Sequence, residues 1–466
     1  MDTAIHRSAQ DKVRAGLSGL GLMADSAEAL AARILSARSA RQSLDLMYYL
    51  WHDDRTGRLL LSEVVKAADR GVRVRLLVDD INPQRSDATY LALDSHPNID
   101  LRLFNPAGMR NGSLLRSFEL ALRLFALTRR MHNKAWIADG RVAIVGGRNI
   151  GDAYFDAADT NFRDLDLLLL GPAVSQSGYV FERFWNSKAT RPIAALHRVG
   201  AGDPDRDLRR LRALTDPELC ACLGGRRTID EMLAASIDLH WTSTARVIAD
   251  PPEKALGRKR RGWLSKVLLP VIREASTRVD IASPYFIPGR RGSEILASLV
   301  RRGVRVSVLT NSLAATDVAA VHGAYANYRE RLVAAGVRLY ELRPSAGRAN
   351  MSVFGSKGAS LHTKAFTVDD RFGFVGSFNF DPRSVSLNAE MGVLFEDPTL
   401  ASALTAEFRR ERSPHASYRL GLDGTRLTWD CDEEGAPRRY ANEPEAGWLR
   451  RAIAAVVGWL PVESQL

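Results

Sequence analysis

Two rhythms of apolar and polar positions alternate along this chain: short apolar runs, and longer stretches with apolar residues three and four apart. Residues 44–50 form an apolar run that predicts a strand, residues 59–69 an amphipathic helix, and the Val-rich residues 72–78 a second strand. The same order returns later at residues 279–286, 292–301 and 304–309. Gly71 and Gly303 stand just past the two helices, where a left-handed residue ends a helix. Further strands are predicted at 134–137 with 142–145, and at 364–368 with 373–375; Asp139-Gly140 and Asp370-Arg371 supply the turns. Strands alternating with helices predict α/β layers.

The recurrence extends to residue identity. Arg70-Gly71-Val72-Arg73-Val74 is repeated as Arg302-Gly303-Val304-Arg305-Val306, an offset of 232. Leu101-Arg102-Leu103-Phe104 is echoed by Val337-Arg338-Leu339-Tyr340 at 236, and His132-Asn133-Lys134 by His362-Thr363-Lys364 at 230. Gly146-Gly147-Arg148-Asn149 matches Gly376-Ser377-Phe378-Asn379, again at 230. A period this long is a domain duplication and not a solenoid. The predicted organisation is a first domain at 1–195, a linker or insertion at 196–262, a second domain at 263–440 and an amphipathic tail at 441–466.

The repeated residues carry chemistry. Positions i and i+2 of a strand share a face, so His132 shares one with Lys134, and His362 with Lys364. Two imidazoles and two ammonium groups around one point suit phosphodiester chemistry. One imidazole attacks phosphorus, and the other protonates the departing alkoxide and later deprotonates the incoming hydroxyl. The lysines balance charge on the non-bridging oxygens. Asn149 and Asn379 each lie 17 residues beyond their His, after a Gly-containing turn from which a side-chain amide can donate to the same oxygens. A nucleophilic His also needs a partner that fixes its tautomer. Asp164 follows His132 by 32 residues and Glu390 follows His362 by 28; each is read as the orienting carboxylate of its own copy or as a surface carboxylate at a strand start. Asp166 rivals Asp164 in the first copy.

The paired H-x-K-x4-D motifs, His132 to Asp139 and His362 to Asp369, resemble those of the phospholipase D superfamily over about residues 40 to 400. Residues 376–384, together with 47–51, 131–134 and 146–154, are similar to the bacterial cardiolipin synthases, nearest their C-type branch. The resemblance implies two duplicated phospholipase D-type α/β/α sandwich domains around a pseudo-twofold shared active site. It also implies a covalent phosphatidyl-histidine intermediate, with no cofactor and no metal. By analogy His132 is the nucleophile and His362 the general acid and base, although the near-symmetry of the motifs leaves the reverse open. Asp139 and Asp369 take a structural role in the motif, and Ser377 a substrate contact. The implied reaction passes a phosphatidyl group to phosphatidylglycerol, giving cardiolipin, with phosphatidylethanolamine or a second phosphatidylglycerol as donor. No residue decides the donor.

Composition narrows the partners. The chain has 65 Lys and Arg against 54 Asp and Glu, a net charge of +11, which favours polyanions such as nucleic acid or an acidic lipid surface. A nuclease of the same superfamily is the competing enzyme, but the aromatics near the motifs, Phe378 and Phe380, sit in apolar contexts and not among basic residues. Nucleic acid is therefore not an expected partner. A phospholipid hydrolase and an inactive lipid-binding scaffold also compete with the transferase. No run of about 18 apolar residues predicts a spanning helix. The first thirty residues, with Asp2, Asp11, Asp25 and Glu28, show no secretory signal. Cys220, Cys222 and Cys431 predict neither a zinc site nor a disulfide framework.

The expected location is peripheral, on the cytoplasmic face of a bacterial cell membrane, with an accessory protein as a further partner. Three segments are candidates for lipid contact. Leu114, Leu115, Phe118, Leu122 and Phe125 recur at helical spacing with Arg116, Arg123, Arg129 and Arg130 among them, a basic amphipathic helix for the membrane or an ordinary core helix. Arg116, Phe118 and Arg123 are its proposed substrate contacts. The basic run 254–261 is an exposed loop that reads as a linker or as a headgroup contact. Residues 448–460, bracketed by Trp448 and Trp459, suit a membrane interface or pack on the body of the protein.

Overall fold

A computed structural model describes residues 4–81, 87–106, 129–196, 203–235, 237–257, 263–344 and 358–459. They fall into two α/β units. Unit 1 comprises Met1–Phe155, Asp166–Arg261 and Leu387–Val393; unit 2 comprises Asp156–Leu165, Gly262–Ser386 and Leu394–Leu466. Each unit therefore contains a short segment from the other half of the sequence.

In unit 1 the strands are β1 (Ser18–Met23), β2 (Ser43–Tyr48), β3 (Arg73–Asp79), β4 (Ile99–Phe104), β5 (Ala135–Ala138) and β6 (Val142–Gly146). After β7 (Thr160–Arg163), which belongs to unit 2, come β8 (Asp166–Leu170), β9 (Thr190–Pro192), β10 (Leu239–Thr242) and β11 (Arg246–Ala249). The sheet order is β10-β1-β8-β6-β5-β2-β3-β4-β9, with β2, β3 and β4 parallel. Every residue of β5, β6 and β8 is buried, as a sheet covered on both faces requires. The helix Pro172–Trp185 packs on β5, β6 and β8, and the helix Ser26–Ser39 on β1 and β5. Residues 196–262, read from sequence as a linker or insertion, contribute helices and β10 to this unit, and β10 pairs with β1. Their hydrophobic periodicity is short and broken, which hides them from a pattern-based reading.

Unit 2 repeats the design with β12 (Arg278–Ala282), β13 (Arg305–Asn311), β14 (Arg338–Leu342), β15 (Gly358–Leu361), β16 (Ala365–Val368) and β17 (Phe372–Gly376). It continues with β18 (Met391–Glu396), β19 (Ser417–Asp423), β20 (Arg426–Glu433) and β21 (Ala436–Tyr440). Its order runs β18-β17-β16-β12-β13-β14-β19-β20-β21, and β15 pairs separately with β7. The predicted strands and helices are present in both copies. The first strand of each copy stops sooner than its apolar run, at Tyr48 and at Ala282. Gly71 and Gly303 take φ of +92° and +86°, ending the helices Arg55–Asp69 and Gly289–Arg301.

Two register details differ from the sequence reading. The turn after β16 is carried by Asp369 and Asp370, at φ of +55° and +49°, one residue before the expected Asp370-Arg371. Aspartate tolerates the left-handed region where a long side chain such as Arg371 is strained. The offset of β4 against β14 is 238 and not 236, because Arg75 pairs with Asp100 while its counterpart Ser307 pairs with Arg338. The Leu-Arg-Leu-Phe echo is thus a match of composition two residues out of spatial register.

Candidate active site

Each histidine sits just before a buried strand, His132 before β5 and His362 before β16. Both are buried, as are Lys134, Lys364, Asn149 and Asn379. The H-x-K spacing folds each lysine back on its own motif. Lys134 Nζ donates to the His132 carbonyl at 2.7 Å and lies 5.2 Å from the Tyr49 ring centre. Lys364 Nζ donates to the His362 carbonyl and stands 2.9 Å from His362 Nδ1. An aromatic ring faces each imidazole: Tyr49 edge-on to His132 at 4.8 Å, and Phe162 against His362 at 5.0 Å.

Both orienting carboxylates touch imidazole nitrogens, but the expected pairing is corrected. In unit 1, His132 Nδ1 lies 2.8 Å from Glu390 Oε2, and in unit 2 His362 Nδ1 lies 2.5 Å from Asp164 Oδ2. Each carboxylate serves the histidine of the other copy. The exchange has a backbone cause: segment 387–393 belongs to unit 1 and segment 156–165 to unit 2. The two segments are held by main-chain bonds: His132 N–H donates to the Ala389 carbonyl at 2.8 Å, and His362 N–H to the Arg163 carbonyl at 2.7 Å. An ionised carboxylate only accepts, so Nδ1 carries a proton in both rings, and Nε2 is the nitrogen left to attack when neutral or to donate when protonated. Glu390 and Asp164 are 0% and 3% exposed, which leaves little water to compete for these bonds.

Asp166, the rival to Asp164, is occupied elsewhere. It pairs with Arg33 at 2.9 Å and with Arg148 at 3.4 Å inside unit 1. Asn149 accepts from Leu50 N–H at 3.3 Å, and its side-chain NH2 donates one hydrogen bond to the Tyr154 hydroxyl at 2.8 Å. Asn379 differs: its buried Oδ1 has no hydrogen-bond partner, and its backbone N–H donates to Ser384 Oγ at 3.1 Å. Ser377 is wholly buried. Arg116, Phe118 and Arg123 lie outside the described residues.

The motif aspartates brace the strand turns. Asp139 accepts backbone N–H groups of Arg41, Gln42 and Ser43 at 2.7–3.2 Å. Asp369 accepts those of Ser276, Thr277 and Arg278 at 2.8–2.9 Å, with the Ser276 and Thr277 hydroxyls added. Partial burial pushes the Asp369 carboxyl up, but these donors outweigh it and hold it down at about 2.

Sequence reading missed a second pair of braces. Asp79 accepts Met131 N–H at 2.8 Å, and Asn311 accepts Leu361 N–H at 2.7 Å. Both positions close the strand after the Arg-Gly-Val repeat, and both bond the residue just before the histidine. The offset of 232 marks them, but an Asp matched to an Asn carries no identity signal. Burial drives the Asp79 carboxyl up to about 7 despite Arg130 at 3.2 Å. Asp250 was also missed: it exchanges backbone and side-chain bonds with Glu390, and Lys254 pairs with it at 2.6 Å. Lys254, expected in an exposed basic loop, is therefore buried as a counter-charge, and residues 258–261 of that run lie outside the described residues.

Among the described residues one His and carboxylate group has metal-like spacing: His322, Glu341 and Glu443, with ligand atoms within 4.8 Å of one another. Arg329 ion-pairs with Glu341 at 3.2 Å and with Glu443 at 2.6 Å. A guanidinium already stands between the carboxylates, so the group is an internal ion-pair network.

A model of the family described as cardiolipin synthase, phospholipase D-like domain, matches residues 33–185 and 268–412. Cardiolipin synthase C of Escherichia coli (strain K12) is 40% identical over 465 residues, covering 96% of each chain. Cardiolipin synthase A of Pseudomonas syringae pv. syringae is 27% identical over 87% of this chain and 73% of its own. Among solved structures, the phosphatidylserine synthase of Haemophilus influenzae Rd KW20 superposes with a TM-score of 0.59 at 17% identity, covering 89% of this chain and 91% of that one; the likeness is one of fold.

Proposed function

The chain belongs to the phospholipase D-like cardiolipin synthase family, and on that premise we propose that it makes cardiolipin by phosphatidyl transfer to phosphatidylglycerol. The donor is phosphatidylethanolamine or a second phosphatidylglycerol. The observation that carries the reading is the matched pair of histidines, each with Nδ1 on a buried carboxylate and a lysine two residues on.

In the proposed mechanism His132 Nε2 attacks the donor phosphorus. The phosphorus–oxygen bond to the head-group alcohol breaks, and His362, entering as the imidazolium, gives that oxygen its Nε2 proton. The hydroxyl of phosphatidylglycerol then loses a proton to His362 and attacks the phosphohistidine, breaking the phosphorus–nitrogen bond and restoring His132. Glu390 and Asp164 stabilise the imidazolium forms and hold the tautomers. Lys134 and Lys364 offset the charge that grows on the non-bridging oxygens.

Membrane contact is assigned to the C-terminal helix Trp448–Trp459. Ala454 packs on the helix Ala319–Ala334, and Arg450 donates to the carbonyls of Leu313, Ala314 and Thr316 at 2.8–3.1 Å. Trp448, Leu449, Ile453 and Val456 are left exposed, at 80%, 56%, 41% and 62%. Among the described residues no helix is long and apolar enough to cross a membrane. Docked on one side and apolar on the other, this helix suits the headgroup–acyl boundary.

The test is incubation of the purified chain with labelled phosphatidylglycerol and phosphatidylethanolamine vesicles, with lipids resolved afterwards. Cardiolipin that is lost in His132→Ala and His362→Ala supports the reading. Phosphatidic acid as the sole product makes the protein a hydrolase instead. In a trapped sample, the label stays on the histidine that acts as nucleophile, which distinguishes His132 from His362.

A further inference from the structure

The duplication provides an internal control for charge placement, and the two copies differ sharply on one sheet face. In unit 1, the ladder sets Ser43 beside Arg73, and Asp45 beside Arg75, which itself pairs with Asp100. Arg75 and Arg102 there each meet a carboxylate. Arg75 binds Asp45 at 2.6 and 2.8 Å and Glu182 at 2.7 Å, and Arg102 binds Asp100 at 3.1 Å. Arg73 stands close enough to Glu182 to help lower its carboxyl.

In unit 2 the same ladder positions hold Arg278 beside Arg305, and Asp280 beside Ser307, which pairs with Arg338. Asp100 of the first copy has thus become Arg338, and Ser43 has become Arg278. The helix Pro398–Glu411 adds Arg409 where the first copy's helix supplies Glu182, and Arg412 follows at its C-cap. These side chains line an open pocket of about 300 Å³.

The carboxylates do not keep pace. Buried Asp280 is shared by Arg278 and Arg412, whose side chains are only 12% and 10% exposed, and Asp370 lies 3.6 Å from Arg278 at the edge. Among the described residues no carboxylate pairs with Arg305, Arg338 or Arg409. Like charges converging on one small pocket repel unless an anion joins them, and guanidinium forks match phosphate oxygens bidentately.

We infer that this pocket is a binding site for a phosphate-bearing anion, separate from the histidine chemistry. Arg278 opens β12, whereas Ala282 at its other end pairs with Ala365 just after the His362–Lys364 motif. About 13 Å of strand separates the two rows, so the ligand here is not the phosphodiester at His362. The phosphate belongs either to a soluble compound or to a lipid headgroup.

The double variant Arg338→Asp/Arg409→Glu tests this, because it installs the carboxylates that the first copy carries. Thermal denaturation of the full chain with inorganic pyrophosphate, at constant ionic strength, forms one arm. Sedimentation with phosphatidylglycerol or phosphatidylcholine vesicles forms the other. A dose-dependent rise in Tm for the parent, with at least a tenfold weaker midpoint in the variant, supports a site for soluble phosphate. At least tenfold weaker retention of the variant on phosphatidylglycerol vesicles, with no pyrophosphate response in either protein, supports a headgroup site. The single variant Arg305→Gln, which adds no charge and leaves the buried pairs intact, gives an intermediate loss in the responding arm. Equal behaviour of parent and variants in both arms overturns the inference.

Discussion

Glu390 Oε2 lies 2.8 Å from Nδ1 of His132, a residue 258 positions earlier in the chain, while the nearer candidate Asp164 lies against His362. Each half of the duplication thus completes the histidine of the other. Glu390→Gln keeps the shape and a hydrogen-bonding group but removes the charge that stabilises imidazolium. A decrease in kcat of about 10² or more is expected, with KM near that of the parent. Asp164→Asn is expected to act alike through His362. A change in KM alone, with kcat intact, would show that these carboxylates position the lipid and not the imidazole.

Asp369 is expected to govern stability and not chemistry. Its carboxyl is held down at about 2 against an ordinary value of 3.8, so ionised Asp369 favours the folded state. That contribution is present above pH 4 and is lost as pH falls towards 2. Discounted for the partial exposure of the group, it amounts to about 1 kcal/mol. Asp369→Asn accepts the positive φ but loses the charge, so its urea midpoint falls below that of the parent at pH 7. The two curves converge near pH 2. A variant as stable as its parent at pH 7 would remove this role.

Asp79 carries the opposite sign. Burial raises its carboxyl to about 7, so the folded protein holds this proton more tightly than the unfolded chain does. Stability from this group is therefore lost as pH rises from about 4 towards 7. Asn311 fills the equivalent position in the second copy with no titrating group and makes the same bond to the backbone before the histidine. Asp79→Asn should flatten that part of the profile. The stability difference, parent minus variant, is expected to shrink between pH 4.5 and pH 8 in denaturant titrations. A constant difference would mean that Asp79 titrates normally.

The histidines, lysines and duplicated strands were legible because their signals are local: an i, i+2 spacing, a Gly after a helix, an apolar run. The partners of the histidines were found as residue types, but chain order assigned them to the wrong copies. Contact between residues 258 apart depends on which segment joins which unit, and no local pattern reports that. Asp79, Asn311 and Asp250 stayed hidden because they bond main-chain groups, which leave no side-chain signature. The sheet-face arginines were visible as letters, but their imbalance emerges only when the ladder sets Arg338 against Asp100 of the other copy.

The C-terminal helix yields the prediction that bears on how the chain meets its substrate. Leu449 and Val456 lie on the face away from Ala454, and both are more than half exposed, so replacing them leaves the packed side of the helix intact. Leu449→Asp/Val456→Asp should therefore unfold at the temperature of the parent. Burying such a side chain in the acyl boundary contributes about 1.5–3 kcal/mol at most, and each 1.4 kcal/mol is about a factor of ten in partitioning. Vesicle binding is expected to fall at least tenfold in the double variant. Turnover of a short-chain lipid below its micelle concentration, where no surface is needed, stays near that of the parent. Arg450→Ala removes the anchor to three carbonyls and should loosen the helix, lowering both vesicle binding and Tm. If the double variant binds vesicles as tightly as the parent, lipid contact lies elsewhere on the molecule, and the exposed apolar side chains of this helix are not the membrane surface.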